Sequence, residues 1–415
     1  MGSHLWQTAF RSIASNTTLI EYFQRYSEFS PAIQYFTPSD VHLGELMSIF
    51  EMQYQGTTTV LDHAHATWSD EFADAAVDAT FESGIRSYFA YAVHALPNGY
   101  TWSDQLAKIR SLAAEERFQD EDGLVRLGLA YDYFFAAPQA NISALSTLVQ
   151  DSNLSFCTTH YVGGPWDAPN SPELLNFLGW LNTSLPVVFS HATSLTYEDA
   201  SLLRDTDQHI CTTPESEFHF GHVNPNAHNI QDQASLGVDC HFTFSASMVQ
   251  QARLWLQSLR WPAYLEPEGR WELPLNNPMS VNQAFHLITR GGALALRRPD
   301  LGAIKVGAKA DMVVFRTDSP NMIGASDPVA AIVLHSDTGD VEDVIVDGKF
   351  VKRNGKITHP GYQQTSKEFA ASAKRIQDIW AKTDWAPLDT FFPLGPAEYT
   401  MAPVIDTQRG PGTGY

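Results

Sequence analysis

From about residue 54 onward the chain repeats one pattern, a short apolar run followed by an amphipathic stretch of helical spacing. Residues 57–61 form a β-branched run and 70–82 a helical one. Further strand–helix pairs follow at 85–93 and 102–116, 125–130 and 141–150, 154–160 and 172–181, and 187–191 and 196–204. Runs at 210–213 and 234–239 then lead into a long helical stretch, 247–260. Strands that alternate with helices at this spacing lie parallel, each helix being the crossover that carries the chain back to start the next strand. Seven such units in succession predict a closed (β/α) barrel of the TIM type, not an open doubly wound sheet.

A barrel of this kind takes about 250 residues, and the chain has 415. After residue 298 the period changes: 310–315, 329–335 and 341–351 read as strands with no long helices between them. The expected organisation is a barrel over 1–297, a partial β-sandwich over 298–358, and a tail over 359–415 with one helix at 367–383. Residues 6–13 and 19–26 read as helical.

Charge narrows the partners. With 26 basic and 47 acidic residues the net charge is −21, which repels a phosphate backbone or an anionic membrane surface. Neither nucleic acid nor membrane is therefore an expected partner. Cys157, Cys211 and Cys240 are odd in number and far apart, as in a reduced, cytoplasmic protein. Residues 1–23 carry no apolar leader.

In such a barrel, function collects where strands end. The predicted strands end in His63 and His65, near His94, in Tyr131-Asp132-Tyr133, at His160, at His191, in Pro214-Glu215-Ser216-Glu217, and at Asp239. Each alone reads as a hydrogen-bonded structural residue. Together on consecutive strands, imidazoles with a carboxylate are the donor types of a divalent-metal site.

Specific motifs follow. The segment Leu301-Gly302-Ala303-Ile304-Lys305-Val306-Gly307-Ala308-Lys309-Ala310-Asp311 resembles the G-x-I-x-x-G-x-x-A-D signature of the metal-dependent amidohydrolase superfamily. Val341 to Gly348 resembles its closing V-x-x-V-x-V-D-G strand pair, and Arg290 to Leu296 the helix end before them. Pro214-Glu215-Ser216-Glu217 with Gly221-His222, and Ser235 to Asp239, are similar to the branch of triazine hydrolases and nucleobase deaminases.

The resemblance implies a zinc or iron site made from a first-strand His-x-His, a histidine after strand five and an aspartate after strand eight. Carried over, these are His4, His160 and Asp239, with His191 after strand six. Two positions depart from the pattern: Gly2 stands where the first histidine belongs, and Gly163 where the deaminase-like branch has a glutamate. The strand that should lead into the His-x-His motif is expected to be absent, because the chain begins at Met1. His63-Ala64-His65 spells His-x-His but belongs to strand two, outside that ligand set.

The expectation is accordingly a barrel distorted by a missing first strand, joined to the remnant of a small β-sandwich, with an eroded metal centre and no bound metal. The leading functional reading is a metal-independent ring closure, isomerisation or elimination on an apolar, natural-product-like molecule. The alternatives are a mononuclear zinc-dependent hydrolase of C–N bonds, using His4, His160 and Asp239, and a non-catalytic ligand binder. Expected catalytic groups are His160, His191, Asp239, His65 and Glu217. Expected substrate contacts are Trp6, Tyr131, Tyr133, Tyr161, Trp166, Phe218, His222 and Phe242. A missing strand leaves unpaired backbone at two edges. The tail, through Ile376, Trp380, Trp385, Phe391 and Phe392, and a homodimer contact are expected to cover them.

Overall fold

The computed structural model describes residues 2–166, 168–222, 227–388 and 397–403. Its centre is a parallel sheet of β1 (Gly2–His4), β2 (Thr59–Ala64), β3 (Arg86–Ala92), β4 (Val125–Ala130), β5 (Cys157–Tyr161), β6 (Val187–His191), β7 (His209–Thr212), β8 (Ala234–Leu236) and β9 (Asp239–Cys240). The strands pair in the order β8-β7-β6-β5-β4-β3-β2-β1-β9. Only two residues separate β8 from β9, so the two ends of that order are one piece of chain and the sheet curls back on itself. Helices connect the strands, as the alternation requires.

The first-strand position is occupied, which corrects the expectation of a gap. Gly2 and Ser3 pair with Leu61 and Asp62 of β2, while Ser3 and His4 pair with Asp239 and Cys240 of β9. Three residues suffice because the partner segment is kinked: Gly237 N–H donates back to Thr212, and Val238 N–H to Gly2. A side chain at Gly237 could not be accommodated, since its Cβ would lie 2.7 Å from the Gly2 carbonyl oxygen and 2.9 Å from Cys211 Sγ. This close approach lets one interrupted strand serve both neighbours.

A 17-residue helix, Pro38–Tyr54, went unread in the sequence. Its start is nevertheless encoded: Thr37 and Asp40 form a reciprocal capping box, with Pro38 in the first turn. The helix buries Val41, Leu46, Ile49 and Phe50 and packs mainly on the 5–10 turn and the helix Asp70–Ser83. Residues 5–10 form a tight 3-10 turn and Leu19–Arg25 an α-helix, both near the expected helical stretches.

The appended unit is a four-stranded antiparallel sheet, β10 (Met312–Phe315), β11 (Val341–Val346), β12 (Lys349–Arg353) and β13 (Lys356–Ile357). The expected strand at 329–335 is absent; those residues form helical turns opened by a cap from Asp327. The sheet is latched beneath the barrel by a buried ion pair. Arg86, at the start of β3, donates to both oxygens of Asp311 (2.7 and 3.0 Å) and to Asp347 (3.1 Å). These two aspartates belong to the 301–311 and 341–348 motifs.

The tail helix Tyr362–Trp380 packs on the 5–10 turn and on the helix Pro38–Tyr54. Ile376 and Trp380 are buried, and Trp380 Nε1 donates to the Arg25 carbonyl. Trp385 packs against the core cluster, whereas Phe391 and Phe392 lie outside the described residues. All three cysteines are buried and reduced. Among the described residues no helix is long and apolar enough to cross a membrane.

Candidate metal centre and pocket

Parallel strands deliver their last residues to one rim, and the site is built there. His4 ends β1, His63 and His65 lie at the end of β2, Asp132 follows β4, His160 is in β5, His191 ends β6 and Asp239 opens β9. Ligand-type atoms of His4, His160 and Asp239 lie within 4.8 Å of one another, as do those of His63, Asp132 and His160.

The proton positions in the first group can be deduced. His4 Nδ1 is 2.9 Å from the carbonyl oxygen of His63, which can only accept, so Nδ1 carries a proton. In the neutral ring, His4 Nε2 then turns a lone pair toward Asp239 Oδ1, 3.1 Å away. Two acceptors face each other at that distance only if a proton or a metal cation lies between them. The other Asp239 oxygen accepts from Ser216 Oγ at 2.5 Å. Burial alone would raise the Asp239 pKa, but the His4 contact and the nearby His191 outweigh it and hold the carboxyl well below the usual range.

His160 is oriented in the same manner. Asp132 accepts from the His160 backbone N–H at 2.7 Å and from Nδ1 at 2.9 Å, which leaves Nε2 as the ring's donor atom toward a metal. His63 Nε2 approaches the same Asp132 oxygen at 3.3 Å. Against the opposing effect of burial, the two histidines keep Asp132 ionised well below the ordinary value, and Asp132 in turn raises His160. His63 itself is pushed down to about 4 by burial. The second group therefore reads as a carboxylate bridging and aligning two rings.

His191 sits with φ +66 and Ala192 with φ +54, left-handed backbone that non-glycine residues adopt at a cost. Its Nδ1 is 3.0 Å from Thr213 Oγ1 and 3.5 Å from Glu217 Oε1. Burial opposes its protonation, yet Glu217 and Asp239 raise its pKa overall. Asp239 also has positive φ, +68, so two of the expected site residues sit on strained backbone.

The cavity over these groups is walled by His4, Glu28, His65, His94, Asp132, His160, His191, His222 and Asp239, and by apolar side chains including Leu19, Tyr22, Phe23 and Phe29. Of the expected substrate contacts, Tyr133, Trp166 and His222 line it, as does His65 from the expected catalytic groups. Trp6, Tyr131, Tyr161, Phe218 and Phe242 do not. Trp6 is fully buried and donates to His65 Nδ1 at 2.8 Å. Tyr131 packs on Trp102 and Phe134, and Tyr161 donates to the Ser194 carbonyl. Phe242 lies among Phe10, Tyr22 and Tyr26, and Phe218 is half exposed. Glu217 is buried behind the wall, accepting from Thr213 N–H and supporting His191.

Glu28, His94 and Asp132 were not among the expected site residues. His94 and Asp132 are strand-end residues and were visible as such. Glu28 comes from a turn after the helix Leu19–Arg25, and only the tertiary fold brings it in. Gly163 admits no side chain, because a Cβ there would fall 1.9 Å from Ser194 Oγ. The expectation of an eroded, metal-free centre finds no support in this geometry, since three ligand-type side chains converge and two are aligned by partners behind them.

The amidohydrolase family model matches residues 4–351. A 5-methylthioadenosine/S-adenosylhomocysteine deaminase of Dictyoglomus turgidum is 23% identical over 366 residues, covering 86% of this chain and 81% of that one. A 5'-deoxyadenosine deaminase of Methanobrevibacter smithii is 22% identical over 389 residues, covering 91% and 85%. Among solved structures, a zinc-bound adenosine deaminase from Xanthomonas campestris aligns with TM-score 0.76 at 18% identity, over 91% of this chain and 84% of that one. The zinc complex of atrazine chlorohydrolase from Arthrobacter aurescens TC1 gives 0.75 at 18%, over 90% and 86%.

Proposed function

Since the chain belongs to the amidohydrolase family, we propose that it is a metal-dependent hydrolase of C–N bonds acting as a deaminase on a small molecule. The observation that carries this reading is the facing pair His4 Nε2 and Asp239 Oδ1 at 3.1 Å, with His4 Nδ1 already committed to a carbonyl. Two imidazoles and a carboxylate on separate strands are the donor set of a catalytic divalent ion that keeps a position open. His4, His160 and Asp239 would hold it. When bound, such an ion supplies Lewis acidity that makes water a nucleophile near neutral pH.

The remaining chemistry falls to the chain's own groups. Asp132 fixes the His160 ring through Nδ1, and Ser216 fixes the Asp239 carboxylate. His191, propped at Nδ1 by Thr213 and Glu217, holds a proton at Nε2 for the departing nitrogen. Position 163 supplies no carboxylate, so proton transfer rests on the imidazoles of the wall. The metal-free ring-closing or isomerising reading has no support from the relatives, which are deaminases by name.

The test is elemental analysis of protein purified without chelator, with turnover of a purine nucleoside panel followed by ammonia release. About one divalent ion per chain and activity lost on chelation are expected. His160→Ala should lose the ion and reduce turnover by about 10³-fold or more. Fully active, metal-free protein would reject the reading.

A further inference from the structure

We propose, resting on the hydrolase reading above, that the site accepts neutral or cationic, largely apolar amines and turns away substrates carrying a carboxylate or phosphate, with Glu28 setting that preference. Among the described residues, no lysine or arginine lines the cavity, while three carboxylates do: Glu28, Asp132 and Asp239. Two of the three are committed. Asp239 is engaged by His4 and Ser216, and Asp132 by His160 and His63. A divalent ion at His4, His160 and Asp239 would be balanced by these same two carboxylates.

The Glu28 carboxyl accepts from its own backbone N–H but, among the described residues, has no hydrogen-bond partner from another residue. The side chain is 12% exposed, and among the described residues its ionic neighbours are His65 Nε2 at 3.8 Å and His94 Nδ1 at 4.0 Å. Neither ring offers it a cation. His65 Nδ1 accepts from the Trp6 indole, so the ring is neutral with its one proton on Nε2, and burial pushes His94 down to about 3. The other charged or titratable groups acting on Glu28 are His4 from β1, Asp132 after β4 and His160 from β5. Leu19, Tyr22, Phe23 and Phe29 form apolar wall from the same N-terminal segment.

An anion entering this space exchanges water for apolar wall and a lone carboxylate, and no fixed cation compensates it. An ammonium or hydroxyl in the same place gives Glu28 the partner it lacks. The net charge of −21 adds long-range repulsion to the same effect. Of the molecules named for the relatives, 5'-deoxyadenosine and 5-methylthioadenosine fit this description, whereas S-adenosylhomocysteine carries a carboxylate.

The experiment is calorimetric binding at about pH 8, above the value near 7 to which burial raises Glu28 so that its carboxylate is ionised, of three matched probes to the full chain as purified: one naphthyl body bearing a terminal ammonium, hydroxyl or sulfonate. The ammonium and hydroxyl probes are expected to bind at least about tenfold more tightly than the sulfonate, and Glu28→Gln should shrink that gap about tenfold. Glu28→Lys should reverse the order. Equal or tighter sulfonate binding, no binding by any probe, or a gap unchanged in Glu28→Gln would overturn the proposal. None of these readings needs turnover or a bound metal, so a failed metal analysis and a failed charge preference remain separate results.

Discussion

The two ends of the barrel both bury charged and titratable groups but settle them differently. Beneath the sheet, Arg86 is almost fully buried, and its Nε and Nη2 meet the oxygens of Asp311 and Asp347. Above it, ring nitrogens lack any hydrogen-bond partner among the described residues: His63 Nδ1, His65 Nε2, His94 Nε2, and both nitrogens of His222. Buried polar groups are ordinarily satisfied, and three of these rings, His65, His94 and His222, line one cavity, where a ligand's polar groups could meet them. The lower pole spends its charges on holding two sheets together, and the upper pole keeps its groups available.

The largest effect that separates the poles should come from Asp311→Ala. It strands the Arg86 guanidinium in a buried place with only half-exposed Asp347 left. Losing one partner of such a pair costs about 3–5 kcal/mol, read as a lower urea midpoint. Metal content and turnover per folded chain should stay within about twofold of wild type, because the latch lies at the opposite end of β3 from the site. A variant that loses its metal along with its stability would break the distinction.

Asp132→Asn probes the upper pole with a smaller effect. The amide keeps the shape but cannot accept from His160 and His63 as a carboxylate does, so the His160 ring loses its alignment. Outer partners of this kind are worth about 10–100-fold in metal affinity or activity. The expected signature is weaker metal binding with an unchanged urea midpoint; unchanged metal affinity would make Asp132 merely structural.

The contrast between the poles also explains what the sequence discloses. The barrel was legible because crossover helices and apolar strands impose a repeating period; the motifs that hold Asp311 and Asp347 were legible as contiguous sequence, but their pairing with Arg86, more than 220 residues away, was not. His160, His191 and Asp239 were legible as strand-end residues, and His4 only through the family resemblance. The first strand was not, because three residues carry no periodicity and their pairing depends on the kink at Gly237 and Val238. Aromatic residues after strands gave a poor guide to the pocket: Trp6 and Phe242 are equally consistent with core packing, and packing is what they do. Glu28 carried no local signal, since its place depends on a turn docked by the Trp68 indole, which donates to the Glu28 carbonyl at 3.0 Å.

That carboxyl supports the smallest prediction, which sharpens the comparison by titration. Burial, partly offset by its own backbone and by His4, raises Glu28 from an ordinary 4.5 to about 7. The unfolded chain ionises it near 4.5, while the folded chain holds the proton until about 7. Between those values the folded state binds more protons than the unfolded state, so stability contributed by this group is full below about 4.5 and declines as pH rises to about 7. Above that it is flat. Glu28→Gln removes the ionisation, so the variant should gain stability relative to wild type between pH 4 and pH 8, measured on metal-depleted protein by urea unfolding. Arg86, paired and charged throughout that range, contributes no such slope from the lower pole. A wild-type and variant difference that does not change with pH would show that Glu28 is already satisfied in the folded chain, and the cavity would then lose its one uncommitted charge.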